Sequence, residues 1–193
     1  MLINDGKGSG RSAKVGSDNR LATESSGRSA LAVKSAEGDA YITSTGVTAD
    51  TLTVTATGGA MLYIANTSST VSLLIDKVVV STDNVKCRYK ELIGMALGTV
   101  ADANSGKALN LNSASSKVAP VTAYAWDESN HGIGGLSGGT TTYFAYMTTG
   151  VTEVDHGGSV IIGPGSSFVV NLKNNSGGTL EAAITVKYYT ATL

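Results

Sequence analysis

Residues Gly157–Tyr189 read GGSVIIGPGSSFVVNLKNNSGGTLEAAITVKYY and point to the class of fold. Phe168, Val170 and Leu172 alternate with neighbours expected to be polar or partly exposed, and so do Ala182, Ile184, Val186 and Tyr188. A period of two marks a strand with one buried face, because successive side chains point to opposite sides of a pleated chain. Between the runs Ser166–Lys173 and Thr179–Tyr189 lies Asn174-Asn175-Ser176-Gly177-Gly178. Asn and Gly tolerate positive φ, so the chain can reverse tightly there. The expectation is a terminal β-hairpin, entered through Gly163-Pro164-Gly165.

Upstream, the same period recurs. Leu52, Val54 and Ala56 alternate with threonines, and Val85, Cys87 and Tyr89 with Lys86, Arg88 and Lys90, which predicts one wet face. Met61–Ala65 is nearly all apolar and predicts a central strand buried on both faces. Val71–Ser81 is another strand run, broken only by Asp76-Lys77. Ala30–Val33, Ala40–Thr43, Ala108–Asn112, Lys117–Trp126, Thr141–Met147, Val151–Val154 and Ser159–Ile162 complete the set. Glu91–Asn104 has helix-like content weakened by Gly94 and Gly98, and is expected as a loop. Asp127–Thr140 is expected as a long Gly-rich loop. About ten to twelve short strands without helices predict an antiparallel β-sandwich. At this length a jelly-roll-like arrangement is the leading form.

Composition agrees. Of 193 residues, 69 are Gly, Ser or Thr and only two are Pro, while charged residues make up 15%. Such a chain suits strands and tight turns. The single Cys87 excludes an internal disulfide and is expected as a small buried group on a strand. No run approaches the ~20 apolar residues that span a bilayer, and the opening MLINDGKGSGR lacks the apolar core of a signal peptide. Charge is split: residues 1–34 carry six Lys/Arg against three acids, and residues 35–193 carry eight against twelve. The expected organisation is an extended basic arm, 1–34, on a sandwich body, 35–193. A basic arm fits docking on an acidic surface, with Lys7, Arg11, Lys14, Arg20 and Arg28 as its partner-binding residues.

No catalytic pattern emerges. Gly6-Lys7-Gly8-Ser9-Gly10-Arg11 fails the phosphate-loop spacing. His131 and His156 are the only histidines, and His156 and Asp155 diverge on a regular strand. Asp127-Glu128 are sequence neighbours, not two acids across a cleft. Asp102, Asn104, Asn110 and Asn112 lack calcium-loop spacing. Nothing reads as a basic and aromatic nucleic-acid platform. No enzyme, cofactor, metal, nucleic acid or membrane is expected.

Several segments together resemble small virion proteins of tailed bacteriophages. They are Asn4-Asp5-Gly6-Lys7-Gly8-Ser9-Gly10 with Ala13-Lys14-Val15 and Asn19-Arg20-Leu21; Leu109–Ser113 with Ser116-Lys117; Gly134–Thr140; and Ile161-Ile162-Gly163-Pro164-Gly165. The resemblance implies a capsid decoration or cement protein, often a homotrimer. Such a protein is made in the host cytoplasm and sits on the capsid surface, with the major capsid protein as partner. The alternative is a tail or fibre module that binds a host surface glycan through a Tyr/Trp patch near Trp126 and the 127–140 loop.

Overall fold

The computed structural model describes residues 2–4, 12–14, 29–45, 52–55, 59–83, 86–98, 104–106, 108–128, 136–147 and 150–193, with 2–4, 12–14, 104–106 and 127–128 given as chain path only. Within them lie one helix, α1 (Ala30–Glu37), and fourteen strands: β1 (Leu2–Asn4), β2 (Ser12–Lys14), β3 (Ala40–Ser44), β4 (Leu52–Val54), β5 (Gly59–Asn66), β6 (Ser72–Thr82), β7 (Cys87–Leu97), β8 (Asn104–Gly106), β9 (Ala108–Asn110), β10 (Val121–Glu128), β11 (Leu136–Met147), β12 (Gly150–Ile162), β13 (Ser167–Asn174) and β14 (Leu180–Ala191). The protein is an all-β antiparallel sandwich. One sheet runs β11-β7-β13-β5-β10-β8, and the other runs β12-β6-β14-β3-β9, with β4 beside β3 on β14. In the arm, β1 and β2 pair with each other.

The terminal hairpin does not form. β13 lies between β5 and β7 in one sheet, and β14 lies between β3 and β6 in the other. The Asn174–Gly178 turn therefore crosses the sandwich instead of closing a hairpin. Buried Asn174 fixes the corner: its Nδ2 donates to the carbonyls of Thr55 at 2.8 Å and Gly178 at 2.7 Å. The expected alternation holds along most of β14, but β13 is buried on both faces from Ser167 to Leu172. The pairing also differs, because a run of apolar residues looks the same whether its partner lies beside it or across the core.

Four of the pairings are nested. β3 pairs with β14, β5 with β13, β6 with β12 and β7 with β11. The core fills the space between the sheets, with Leu62, Ile64, Tyr89, Phe168, Val170 and Leu172 from one side meeting Ile75, Val78, Val80, Ile184, Val186 and Tyr188 from the other. At about 25 cal/mol per Å² of apolar surface removed from water, this layer is the main source of stability. Cys87 is buried within it, on β7.

Four sequence expectations are corrected. Residues 30–37 are helix, not strand, and the arm boundary at 34 falls inside α1. Ser29 caps it by accepting from the Ala32 amide at 3.2 Å, and Gly38 ends it at φ 76°, in the left-handed region that favours glycine. Ala30, Ala32 and Ala36 are strong helix formers, and at this length their alternation mimics a strand. Leu31 then packs on Ala40, Leu74 and Tyr189, outside the β12 sheet. The expected loop from Glu91 begins as strand, since β7 continues to Leu97. Strands also claim Asp127, Glu128 and residues 136–140 of the expected Gly-rich loop. The two strands expected at 151–154 and 159–162 are one, β12, whose ladder with β6 breaks between Asp155 and Val160.

Candidate functional site

Four of the five arm residues singled out above, Lys7, Arg11, Arg20 and Arg28, lie outside the described residues, as do His131 and Asp102. Lys14 ends β2. The body presents a different cluster at the side of the sandwich where β11 and β12 form the two sheet edges.

β11 is exposed along nearly its whole length, and carries Tyr143, Phe144 and Tyr146 at 39%, 46% and 76% exposure. Its last five residues run in regular register with β7, so Phe144 lies opposite Lys90 and Tyr146 opposite Arg88. On the far side of β7, Lys173 lies opposite Arg88, and Asn171 opposite Lys90. Directly opposed residues share a face. The outer face of the sheet therefore carries a row Tyr146–Arg88–Lys173 beside a row Phe144–Lys90–Asn171. Lys90 Nζ stands 5.9 Å from the Phe144 ring centre, and Phe144 meets Tyr146 edge-on at 5.5 Å. Arg88 Nε is buried without a hydrogen-bond partner. Among the described residues no carboxylate pairs with Arg88, Lys90 or Lys173.

Behind this face, Glu91 points into the sandwich with no exposure. The broken ladder of β12 frees His156 to reach it across the gap between sheets. His156 Nε2 lies 3.0 Å from Glu91 Oε1 in hydrogen-bonding geometry and 2.9 Å from Oε2. The Tyr89 hydroxyl donates to Glu91 Oε1. Burial, and then the Glu91 carboxyl beside it, push the Tyr89 hydroxyl far above the ordinary tyrosine value, so it remains a donor. Thr142, where the β11 ladder shifts register, donates to the Glu91 carbonyl at 3.3 Å. The cluster ties β7, β11 and β12 together behind the exposed aromatics.

His156 and Asp155 do diverge, the first inward and the second exposed. Among the described residues no group of three His, Cys, Asp or Glu is placed to hold a metal, and no helix is long and apolar enough to cross a membrane. Asn110 and Asn112, weighed above as calcium ligands, serve as brackets: Asn110 donates to the carbonyls of Gly38 and Lys117, and Asn112 to that of Ala36. Trp126, the centre of the glycan alternative, is 1% exposed and packed with Met61 and Val169. It offers no surface for stacking on a sugar.

The alternation of Lys86, Arg88 and Lys90 was the available signal for the basic face. The contribution of Lys173 and of the β11 aromatics came only from strands brought together by the fold. No protein-family model matches the chain, and neither the curated proteins nor the solved structures yield a match.

Proposed function

We propose that this protein is a non-enzymatic structural component of a tailed-phage virion that binds and stabilises the assembled capsid. Its partner is the major capsid protein and its place the capsid surface. One structural observation carries the reading: the two-sheet body presents an exposed, aromatic edge strand flanked by cations that no carboxylate among the described residues pairs. That surface suits a protein partner better than a small substrate. The resemblance of the quoted segments adds the virion context. The nested pairs β3–β14, β5–β13, β6–β12 and β7–β11 support a jelly-roll reading, an architecture shared by capsid and lectin domains. Fold alone does not choose between them. The basic arm is a second anchor, with Lys7, Arg11, Lys14, Arg20 and Arg28 pairing with acidic shell residues and the arm adding to the shell as a strand. In a homotrimer, three bodies and three arms would bridge neighbouring subunits.

Quantitative mass spectrometry of purified virions tests the reading. A copy number comparable with that of the shell subunit is expected, and a handful of copies per particle would overturn it. Removing residues 1–30 is expected to abolish retention on the capsid while the body stays folded. Full occupancy by the truncated protein would remove the arm from the account. The exposed Phe144–Tyr146 pair keeps the second reading, a tail or fibre module that binds a host glycan, in view. Glycan-array binding lost in Tyr146→Ala would favour it.

A further inference from the structure

We propose that β11 is a docking edge for an extended acidic segment of a partner protein, which joins the six-stranded sheet as a further strand and sets its carboxylates against Lys90 and the positive face that it shares with Arg88 and Lys173. That the partner is a shell subunit rests on the function proposed above. The chemistry of the edge does not.

The first ground is the backbone. β11 ends its sheet, and among the described residues no strand pairs with its outer side. An edge strand offers a row of unpaired N–H and C=O groups, and proteins commonly blunt such edges with charges, proline or bulges. Residues 136–147, LSGGTTTYFAYM, hold no charge and no proline. The regular stretch Tyr143–Met147 lies beyond the register shift at Thr142. The facing edge, β12, is defended by Glu153, Asp155 and a broken ladder.

The second ground is charge. Arg88 and Lys173 are opposed across adjacent strands, an arrangement that costs stability. Lys90 flanks them, and the buried Arg88 Nε lacks an acceptor. Lys90 reaches over the Phe144 ring of β11, so carboxylates arriving on an added strand beside β11 supply acceptors to it and offset the local excess of positive charge.

The same charges argue against a second copy as occupant. Self-pairing of β11 would place a second Arg88, Lys90 and Lys173 set on one continuous sheet face. A nucleic acid strand could neutralise the cations and stack on Phe144 and Tyr146, but it would not match the strand-edge donors and acceptors in register.

The test uses the full chain and fluorescent peptides: alternating Glu and Val, alternating Lys and Val, and the Glu/Val peptide with proline in place of alternate valines. Oligo(dT) serves as the nucleic-acid probe. The Glu/Val peptide is expected to bind, with affinity falling as salt rises, and the other three are not. Lys90→Glu/Lys173→Glu should weaken binding by about tenfold or more. Lys187→Glu, on the other sheet, should leave it unchanged, which separates local from net charge. Thermal melting of each variant checks that the fold persists.

Equal binding of the proline peptide would overturn strand addition. Preference for oligo(dT), or no binding of any peptide, would overturn the proposal, as would a dimer in light scattering that Tyr146→Lys disperses. Glu/Val binding together with a low virion copy number would keep the edge and remove the shell. A high copy number without peptide binding would do the reverse.

Discussion

Glu91 carries a fully buried carboxyl into the sandwich, where among the described residues His156 and Tyr89 compensate it. Removing one partner of such a pair costs more than the pair itself contributes, because the other is left stranded. His156→Ala is therefore expected to destabilise the fold by about 3 kcal/mol. Glu91→Leu/His156→Leu should lose much less than the two single changes summed. Denaturant titrations of the three variants check this, and additive losses would show that the residues act separately. Asp76 is a second unfavourable placement. Partial burial raises its carboxyl above the usual range, nearby Asp155 adds to the shift, and Lys77 and Lys187 oppose it. A raised folded value means that the stabilising contribution belongs to the protonated form. It is complete below the unfolded value and is lost as pH rises through the folded one. Asp76→Asn should therefore melt higher than the parent at pH 7. The advantage should vanish below about pH 4, where the unfolded carboxyl also protonates. An advantage of equal size at both pH values would rule out titration as the cause.

At the scale of the element, β12 shows why a strand cannot be read by period alone. Its ladder opens between Asp155 and Val160, and the extra residues turn His156 inward while Gly158 passes against Tyr189. Gly158 has φ 84°, and a Cβ there would fall 2.1 Å from the Tyr189 hydroxyl. Gly158→Ala is expected to cost more than about 1 kcal/mol in thermal or denaturant unfolding, whereas alanine at Gly163, where a Cβ meets nothing within 4 Å, should cost less. Equal losses would mean that the β12 irregularity is not constrained. In the sequence, Gly157-Gly158 looked like a gap between two strands. The irregularity was legible and its meaning was not, because a bulge and a turn use the same residue. Ala30–Glu37 failed for a related reason. Its first four residues, Ala30-Leu31-Ala32-Val33, alternate alanine with larger side chains and satisfy a short strand pattern, and the capping bond of Ser29 and the turn at Gly38 decide for helix.

Across the whole molecule, the chain closes from its ends. Thr43 and Tyr188, 145 residues apart, share a buried hydrogen bond of 3.1 Å between their hydroxyls, and β14 pairs with β3, β4 and β6. Deleting residues 180–193 is therefore expected to abolish cooperative unfolding of the body. A truncated chain that still melted in one sharp transition would contradict the nested arrangement. Composition and local pattern alone were enough to show that the protein is built mainly of strands, that Arg88 and Lys90 lie on a wetter face than Cys87 and Tyr89, that Met61–Ala65 is buried on both sides, and that Cys87 is a core residue. These follow from side-chain polarity along an alternating chain, which is a local property. The parting of β13 and β14 into facing sheets, the meeting of His156 with Glu91, and the shared face of Arg88, Lys90 and Lys173 with Phe144 and Tyr146 emerge only once the strands are placed. Each of these depends on which strand lies beside which. Alternation fixes the direction in which a side chain points, and leaves open the neighbour that it meets.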